Sequence, residues 1–344
     1  MPQEKIDVVI PWVDPSDGIW QADKNKYSVN PPKDDSKDEK FFRDWDILRY
    51  LLRSIETNMP WVNKIHFLTY GHIPKWMKRD HPDLLIHNHS SFFKKGHAFP
   101  VFSSDAIEMN LKYIPGLTEK FIYFNDDEVV VKPVKSSRFF QNNLPVDTLV
   151  QDIPRGGWLY RLLRTKDVYP DICKNCLVPL NGLISKKELR RKNKKIFFDS
   201  SYTLIERVKN YLSNLFSNYL WITPNHSPQP LLKSTIETCE KMFPTLIKET
   251  GNSRFRSNKD ICHYLFRNFN LITGEFFPKN YHDTHCIVLA KYERALKEFE
   301  NFNKYTFLCI NDSEFLSHQD YLKLKPVLEK KLVSIFPNKS SYEK

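Results

Sequence analysis

The sequence predicts an α/β protein with a mostly parallel, Rossmann-like sheet flanked by helices. Three observations predict it. Short apolar runs of strand length alternate with stretches of helical periodicity. The runs stop at Pro, Gly or acidic turns. The residues able to carry chemistry fall where the runs end, and in parallel sheets ligands sit at the carboxyl ends of strands.

Each element follows from its residues. Positions 6–10 read Ile-Asp-Val-Val-Ile, a buried strand stopped by Pro11 and followed by the turn-rich Trp12-Val13-Asp14-Pro15-Ser16-Asp17-Gly18. Residues 33–40 are almost all charged and read as a solvated excursion. Ile47, Leu48, Leu51, Leu52 and Ile55 recur at helical steps, with Asp44 as the expected N-cap and Pro60 as the stop. A second strand is expected over 64–70, closed by Gly71, and a third over 84–87. Ser103 or Ser104 caps a helix whose apolar face is Ile107, Leu111 and Ile114. Residues 121–124, Phe-Ile-Tyr-Phe, form a strand that runs straight into Asn125-Asp126-Asp127. Residues 135–220 read as a mostly helical insertion, with a helix over 202–215. Further helices are expected up to Phe243 and over 260–269. The expected organisation is one catalytic domain, 1–320. It has an N-terminal half (1–134), the insertion, and a C-terminal half (221–320) completing the site. A basic tail or helix occupies 321–344.

Composition narrows the function classes. The 344 residues are 41% hydrophobic and 27% charged, enough for a sizeable core, with a net charge of +11. A basic chain implies an anionic partner: phosphate-bearing substrate, acidic lipid or nucleic acid. The densest basic run, Lys186 to Lys195, is either a solvated helix face or a surface that rests on anionic headgroups. Nucleic acid is not expected, because no basic stripe with interleaved aromatics and no known reading module is present. The six cysteines form no dense framework, which fits a reducing cytoplasm. Cys173 and Cys176 make a C-x-x-C with no second pair at zinc-site spacing. The run Tyr281 to Cys286 offers metal-ligand types but reads as a polar loop. No stretch reaches the about 20 apolar residues a bilayer span needs. Any membrane contact is therefore expected to be peripheral, at the inner face of the cell membrane. P-loop, G-x-G-x-x-G and G-x-S-x-G signatures are all missing from the sequence.

Four small motifs could carry chemistry. Asp126 and Asp127, adjacent carboxylates at a strand end, suit a divalent ion held against a diphosphate; the same residues also make an ordinary polar turn. Asp14 and Asp17 could contact a nucleotide, or simply form the turn that Asp-Pro and Asp-Gly favour. His226, framed by Pro224 and Pro228, is a candidate general base in a stiff loop, or a structural loop histidine. Arg254 and Arg256 flank Phe255, so an extended backbone would point both guanidiniums at one pyrophosphate, with Asp260 orienting one of them. A surface ion-pair cluster is the plain alternative.

Taken in order, these segments resemble the Stealth family of sugar-phosphate transferases. The opening Ile6-Asp7-Val8-Val9-Ile10-Pro11-Trp12-Val13-Asp14-Pro15-Ser16-Asp17 is the first block. The second runs from Arg43-Asp44 through Leu48 to Ile55, Gly71 to Trp76 and Ser104-Asp105-Ala106-Ile107-Glu108 to Asn125-Asp126-Asp127. Asn225-His226-Ser227-Pro228-Gln229-Pro230 is the third, and Arg254-Phe255-Arg256 with Asp260 the fourth. Pro15 stands where Gly is more usual, and Ser103 where Asn is common.

The resemblance implies a GT-A-like sheet and a defined reaction. An acceptor hydroxyl of a lipid-linked or polymeric glycan attacks the sugar-bearing phosphorus of a UDP-sugar, and UMP leaves. It implies that His226, Asp127, Arg256 and Asp14 are catalytic. Asp126 and Asp127 would hold Mg²⁺ or Mn²⁺. Asp17, Arg43, Arg49, Glu108, Asn125, Arg254 and Asp260 would bind substrate. The closest rival is a metal-dependent UDP-sugar glycosyltransferase, which would release UDP.

Overall fold

The structure, a computed structural model, describes residues 5–28, 43–154 and 168–344. The charged excursion expected at 33–40 lies outside the described residues.

The strands, in chain order, are β1 (Ile6–Pro11), β2 (Ile65–Thr69), β3 (Leu84–Asn88), β4 (Lys120–Tyr123), β5 (Glu128–Val130), β6 (Phe140–Gln141), β7 (Leu144–Asp147), β8 (Gln229–Leu232), β9 (Phe277–Pro278), β10 (Thr284–Leu289) and β11 (Phe307–Asp312). The main sheet has the order β3-β2-β1-β4-β8. Its first four strands are parallel, and β8 joins β4 antiparallel. The chain thus reverses its direction of travel across the sheet between β1 and β4, which opens a crevice at their carboxyl ends.

Both faces of this sheet are covered, as a continuous apolar strand requires. Val9, Leu68, Phe121 and Tyr123 enter one core, with Ala106, Ile107, Leu265 and Phe266. Val8, Ile10, Phe67, Ile122 and Phe124 enter the other, against Leu48, Leu51, Leu52 and Ile55 of the helix Ile47–Asn58. Each of these four helix residues contributes about 1.5–3 kcal/mol by burial. The same helix turns Ile47 and Tyr50 toward a third core. That core is built on the small sheet β10-β11-β5 and the helix His318–Ile335. So the expected C-terminal tail is a helix, and the residues beyond it fold back: Glu343 bridges to Met77 and its carboxylate accepts two bonds from Arg53.

Several expectations are corrected. The helix Ile47–Asn58 starts at Asp46, which holds a left-handed conformation (φ 53°), and Asp44 accepts the Asp46 N–H instead of capping the helix itself. The 135–220 stretch opens with the hairpin β6–β7, whose two turn residues Asn142 and Asn143 both have positive φ, the geometry of a type I′ turn. Its later part is helical, including Lys186–Lys192 and Leu204–Ser213. The expected polar loop ending at Cys286 is half strand, because Thr284 to Leu289 pair with β11. Cys176 of the C-x-x-C packs its sulfur 3.7 Å from that of Cys262, inside the first core. Among the described residues no helix is long and apolar enough to cross a membrane.

Candidate active site

The loops after β1 and β2 are locked to each other. Gly71 ends β2 with φ 138°, and a side chain there would meet Asn88 Nδ2 at 2.9 Å, so the turn requires glycine. It delivers His72, whose carbonyl accepts the Thr69 hydroxyl proton. The Asp14 N–H donates to His72 Nε2 at 2.7 Å. An N–H can only donate, so this ring nitrogen carries no proton and the neutral imidazole bears its proton on Nδ1, 3.5 Å from Asp17. Burial lowers the His72 pKa, against the pull of Asp17 and Asp14. Asp14 accepts from the N–H and hydroxyl of Ser16, while Asp17 caps the helix Gly18–Tyr27 through the Trp20 N–H. Both aspartates therefore do turn work at the rim of the crevice.

The acidic turn after β4 is different. Glu128 folds back to accept from the backbone and side chain of Asn125, at 3.0 and 3.3 Å. Its buried carboxyl is pushed well above the usual range by burial and by Asp127. The Cys309 thiol donates to Asp127 Oδ2 at 3.3 Å, while the buried Asp127 Oδ1 has no partner among the described residues. Asp127 is raised by burial, with His226 pulling the other way. Asp126 is pushed up to about 7 by burial and by the charge of Asp127. Two adjacent carboxyls under this pressure, with an oxygen left over, are a donor set that a hard cation would relieve.

His226 reaches the same place from a distant segment. The antiparallel register sets Tyr123 against Gln229, so the loop leading into β8 lies beside the turn leaving β4. His226 is exposed, and its ring nitrogen lies within 4.8 Å of the sulfurs of Cys286 and Cys309. Cys286 and Cys309 are direct partners in the β10–β11 register. Cys309 thus touches both halves of the site. Cys309 was not among the sequence candidates, and Cys286 stood only in a run read as a polar loop; the strand pairing brings both in.

The Arg-Phe-Arg segment bends at Arg254 and Phe255, so the two guanidiniums part. Arg254 donates to the Pro100 carbonyl and lies 4.1 Å over the Tyr27 ring. Phe255 stacks on Phe102. Arg256 bonds Ser104 Oγ at 2.7 Å and Asp105 at 3.1 Å. The residue that orients it is therefore Asp105, a correction to the expected Asp260, whose carboxylate accepts from Ser253 and Ser257. Asp105 is itself pushed up to about 7 by burial, against Arg256. Beneath it, Tyr123 donates to Glu108, and Glu108 accepts the His263 N–H. Glu108 is therefore a buried strut, not a substrate contact. The Tyr123 phenol is raised by burial and by the charges of Glu108, Asp105 and Asp126 together.

One further expectation fails. Arg43 is buried against Asp312 and the carbonyls of Ser313 and Leu316, which ties the start of the helical region to β11. It has no free face for a substrate. Arg49 pairs with Asp46 at 3.2 Å beneath Trp76 and keeps part of its side chain exposed. Asp126, Asp127 and His226 thus gather at the turn after β4, with Asp14 and Asp17 on the neighbouring strand end, while Arg256 is held by Ser104 and Asp105.

Residues 4–30 match Stealth protein conserved region 1, and residues 41–147 match Stealth protein conserved region 2. A capsular polysaccharide phosphotransferase, WcwK of Streptococcus pneumoniae, is 34% identical over 99% of this chain and 98% of its own length. A receptor polysaccharide phosphotransferase, WefC of Streptococcus gordonii, is 30% identical over 99% of both chains. Among solved structures, the apo WbbM bifunctional glycosyltransferase is similar over 97% of this chain and 52% of that one, at TM-score 0.35 and 12% identity. So distant a likeness decides neither fold nor chemistry.

Proposed function

The chain belongs to the Stealth family and is a polysaccharide phosphotransferase, and from that premise we propose that it transfers a sugar-1-phosphate from a UDP-sugar to a hydroxyl of a capsular or exopolysaccharide acceptor. The observation that carries this reading is the approach of His226 to Asp127, beside Asp126, across the β4–β8 register. A base and an electron-rich acidic turn then meet at one strand end, with Arg256, held by Ser104 and Asp105, completing the site in this reading.

In this reading His226 accepts the proton of the acceptor hydroxyl. The hydroxyl oxygen forms a bond to the phosphorus that carries the sugar. The bond from that phosphorus to the bridging oxygen breaks, and the bridging oxygen leaves with UMP. The anomeric bond stays intact and a phosphodiester results. Arg256, held by Asp105 and Ser104, meets the charge that grows on the phosphoryl oxygens. Asp126 and Asp127 would hold Mg²⁺ or Mn²⁺, which would neutralise the diphosphate as the bond breaks. Asp14, Asp17 and Arg49 line the nucleotide side, with Asn125 and Arg254 shaping the walls. UDP-sugars and lipid-linked glycans place the reaction in the cytoplasm, at the inner face of the membrane.

The test is the nucleotide released. The enzyme is incubated with a panel of UDP-sugars and a lipid-linked glycan, and products are identified by mass. UMP with a phosphodiester-linked product is the expected result. UDP with a glycosidic product would replace this reading with glycosyl transfer.

A further inference from the structure

The helix Leu204–Ser213 is mounted the wrong way round for a water-soluble protein. Its only buried residue is polar: Asn210 donates to the carbonyls of Leu149 and Phe197 and accepts the Gln151 N–H. Lys209 and Glu206 also face the protein, bonding Asp152 and Asn280. The apolar residues Leu204, Ile205, Val208, Tyr211 and Leu212 point outward, and Leu215 and Phe216 continue the row at helical spacing. Leu204 is 72% exposed, Ile205 69%, Tyr211 67% and Leu215 80%. A surface helix normally turns such a stripe to the core. A contiguous apolar patch of this kind marks an interaction surface.

Its surroundings choose the partner. Between residues 186 and 216 stand nine Lys or Arg against three Asp or Glu. The basic helix Lys186–Lys192 abuts the end of the apolar one: the buried Lys186 ammonium donates to the carbonyls of Ser213 and Asn218. Lys187, Arg191 and Lys194 remain exposed beside it. An apolar stripe edged by cations matches an anionic bilayer, with acyl chains under the stripe and headgroup phosphates against the cations. A protein partner of ordinary surface would not need the cations.

We propose that the face formed by residues 204–216, with the basic residues 187–194, docks on anionic lipid and lies in the membrane interface. This goes beyond the phosphotransfer reading. Only its consequence for activity, faster transfer to a lipid-linked acceptor than to a soluble one, rests on that reading. Lipid binding itself needs no substrate, so the two can fail separately.

The full chain is sedimented with vesicles of phosphatidylcholine alone and of phosphatidylcholine mixed with phosphatidylglycerol. Binding to the mixed vesicles is expected, weakened by salt. Leu212→Asp with Leu215→Asp should reduce it by about tenfold or more, and Lys187→Glu with Arg191→Glu should weaken it and flatten the salt dependence. Activity on a soluble acceptor should stay unchanged in both. If the aspartate pair disturbs folding, Ile205→Gln with Leu215→Gln carries the same test. No binding to mixed vesicles overturns the proposal. So does binding untouched by these substitutions. Concentration-dependent dimerisation that the aspartate pair abolishes, without vesicle binding, assigns the face to a second copy of the chain instead.

Discussion

Two buried acidic sites in this molecule have opposite characters. At the C-terminal clamp, Glu343 accepts from Arg53 Nε and Nη2, both at 2.7 Å, and from the backbone and hydroxyl of Ser340. Burial pushes the Glu343 carboxyl up, but these bonds outweigh it and hold the pKa below the usual carboxylate range. The third donor of Arg53 goes to the Phe336 carbonyl. At the turn after β4, burial wins: Asp126, Asp127 and Glu128 are all raised, and Asp127 Oδ1 has no partner among the described residues. A fold can satisfy a buried carboxylate fully when the charge serves architecture. Where it leaves one short, as at Asp127, the carboxylate suits the bound group that the phosphotransfer reading proposes.

The sharpest way to break this contrast is to remove groups from each side and read different quantities. His226→Ala and Asp127→Asn should each lower turnover by about 10²–10⁴-fold while leaving the melting temperature near that of the parent. Steady-state rates and thermal melts check both. Near-normal turnover in a folded variant would put the site elsewhere. Arg53→Met should do the reverse. It strands the buried Glu343 and should cost about 3–5 kcal/mol of stability by urea unfolding, with the turnover of the folded enzyme unchanged. Arg53→Met with Glu343→Leu should recover most of that loss. Arg256→Lys sits between. It keeps the charge but loses the fork that grips Ser104 and Asp105, so turnover should fall by about 10–10²-fold with stability hardly altered.

How much of this was legible in the sequence depends on range. β1, β2 and β4 were readable because their apolar runs are buried on both faces of the sheet, and the edge strand β3 by its short Leu-Leu-Ile run. The helix Ile47–Asn58 announced itself by spacing. β8 was not readable. Gln229-Pro230-Leu231-Leu232 contains a proline, which is tolerated only because β8 is an edge strand. β10 is also an edge, half exposed, and its Thr-His-Cys start looks like a loop. Missing these two strands meant missing the partners they bring: the β8 register that seats His226, and the β10–β11 pair that presents Cys286 and Cys309. Asp126 and Asp127 could be named from a strand end alone. Arg43 looked like Arg256 in the sequence, since both are arginines within matched blocks. Only the surroundings separate a buried tie to Asp312 from a half-exposed group beside Ser104.

Asp105 is the intermediate case, and its titration gives the smallest and most specific effect. It is buried like Asp127 but paired like Glu343, and its partner Arg256 is only partly covered. Burial prevails, with the charges of Glu108 and Asp260 adding to it, and the carboxyl is pushed from 3.8 up to about 7. Between those values the folded chain holds a proton that the unfolded chain has released. Stability must therefore fall as pH rises through that window, by at most about 1.4 kcal/mol per pH unit from this group. Asp105→Asn carries no such proton, so its unfolding free energy should decline less steeply than the parent's from about pH 4 to 7. Urea midpoints across that range measure the difference in slope. Equal slopes would mean that Arg256 holds Asp105 ionised, and would move this pair to the architectural side of the contrast with the acidic turn.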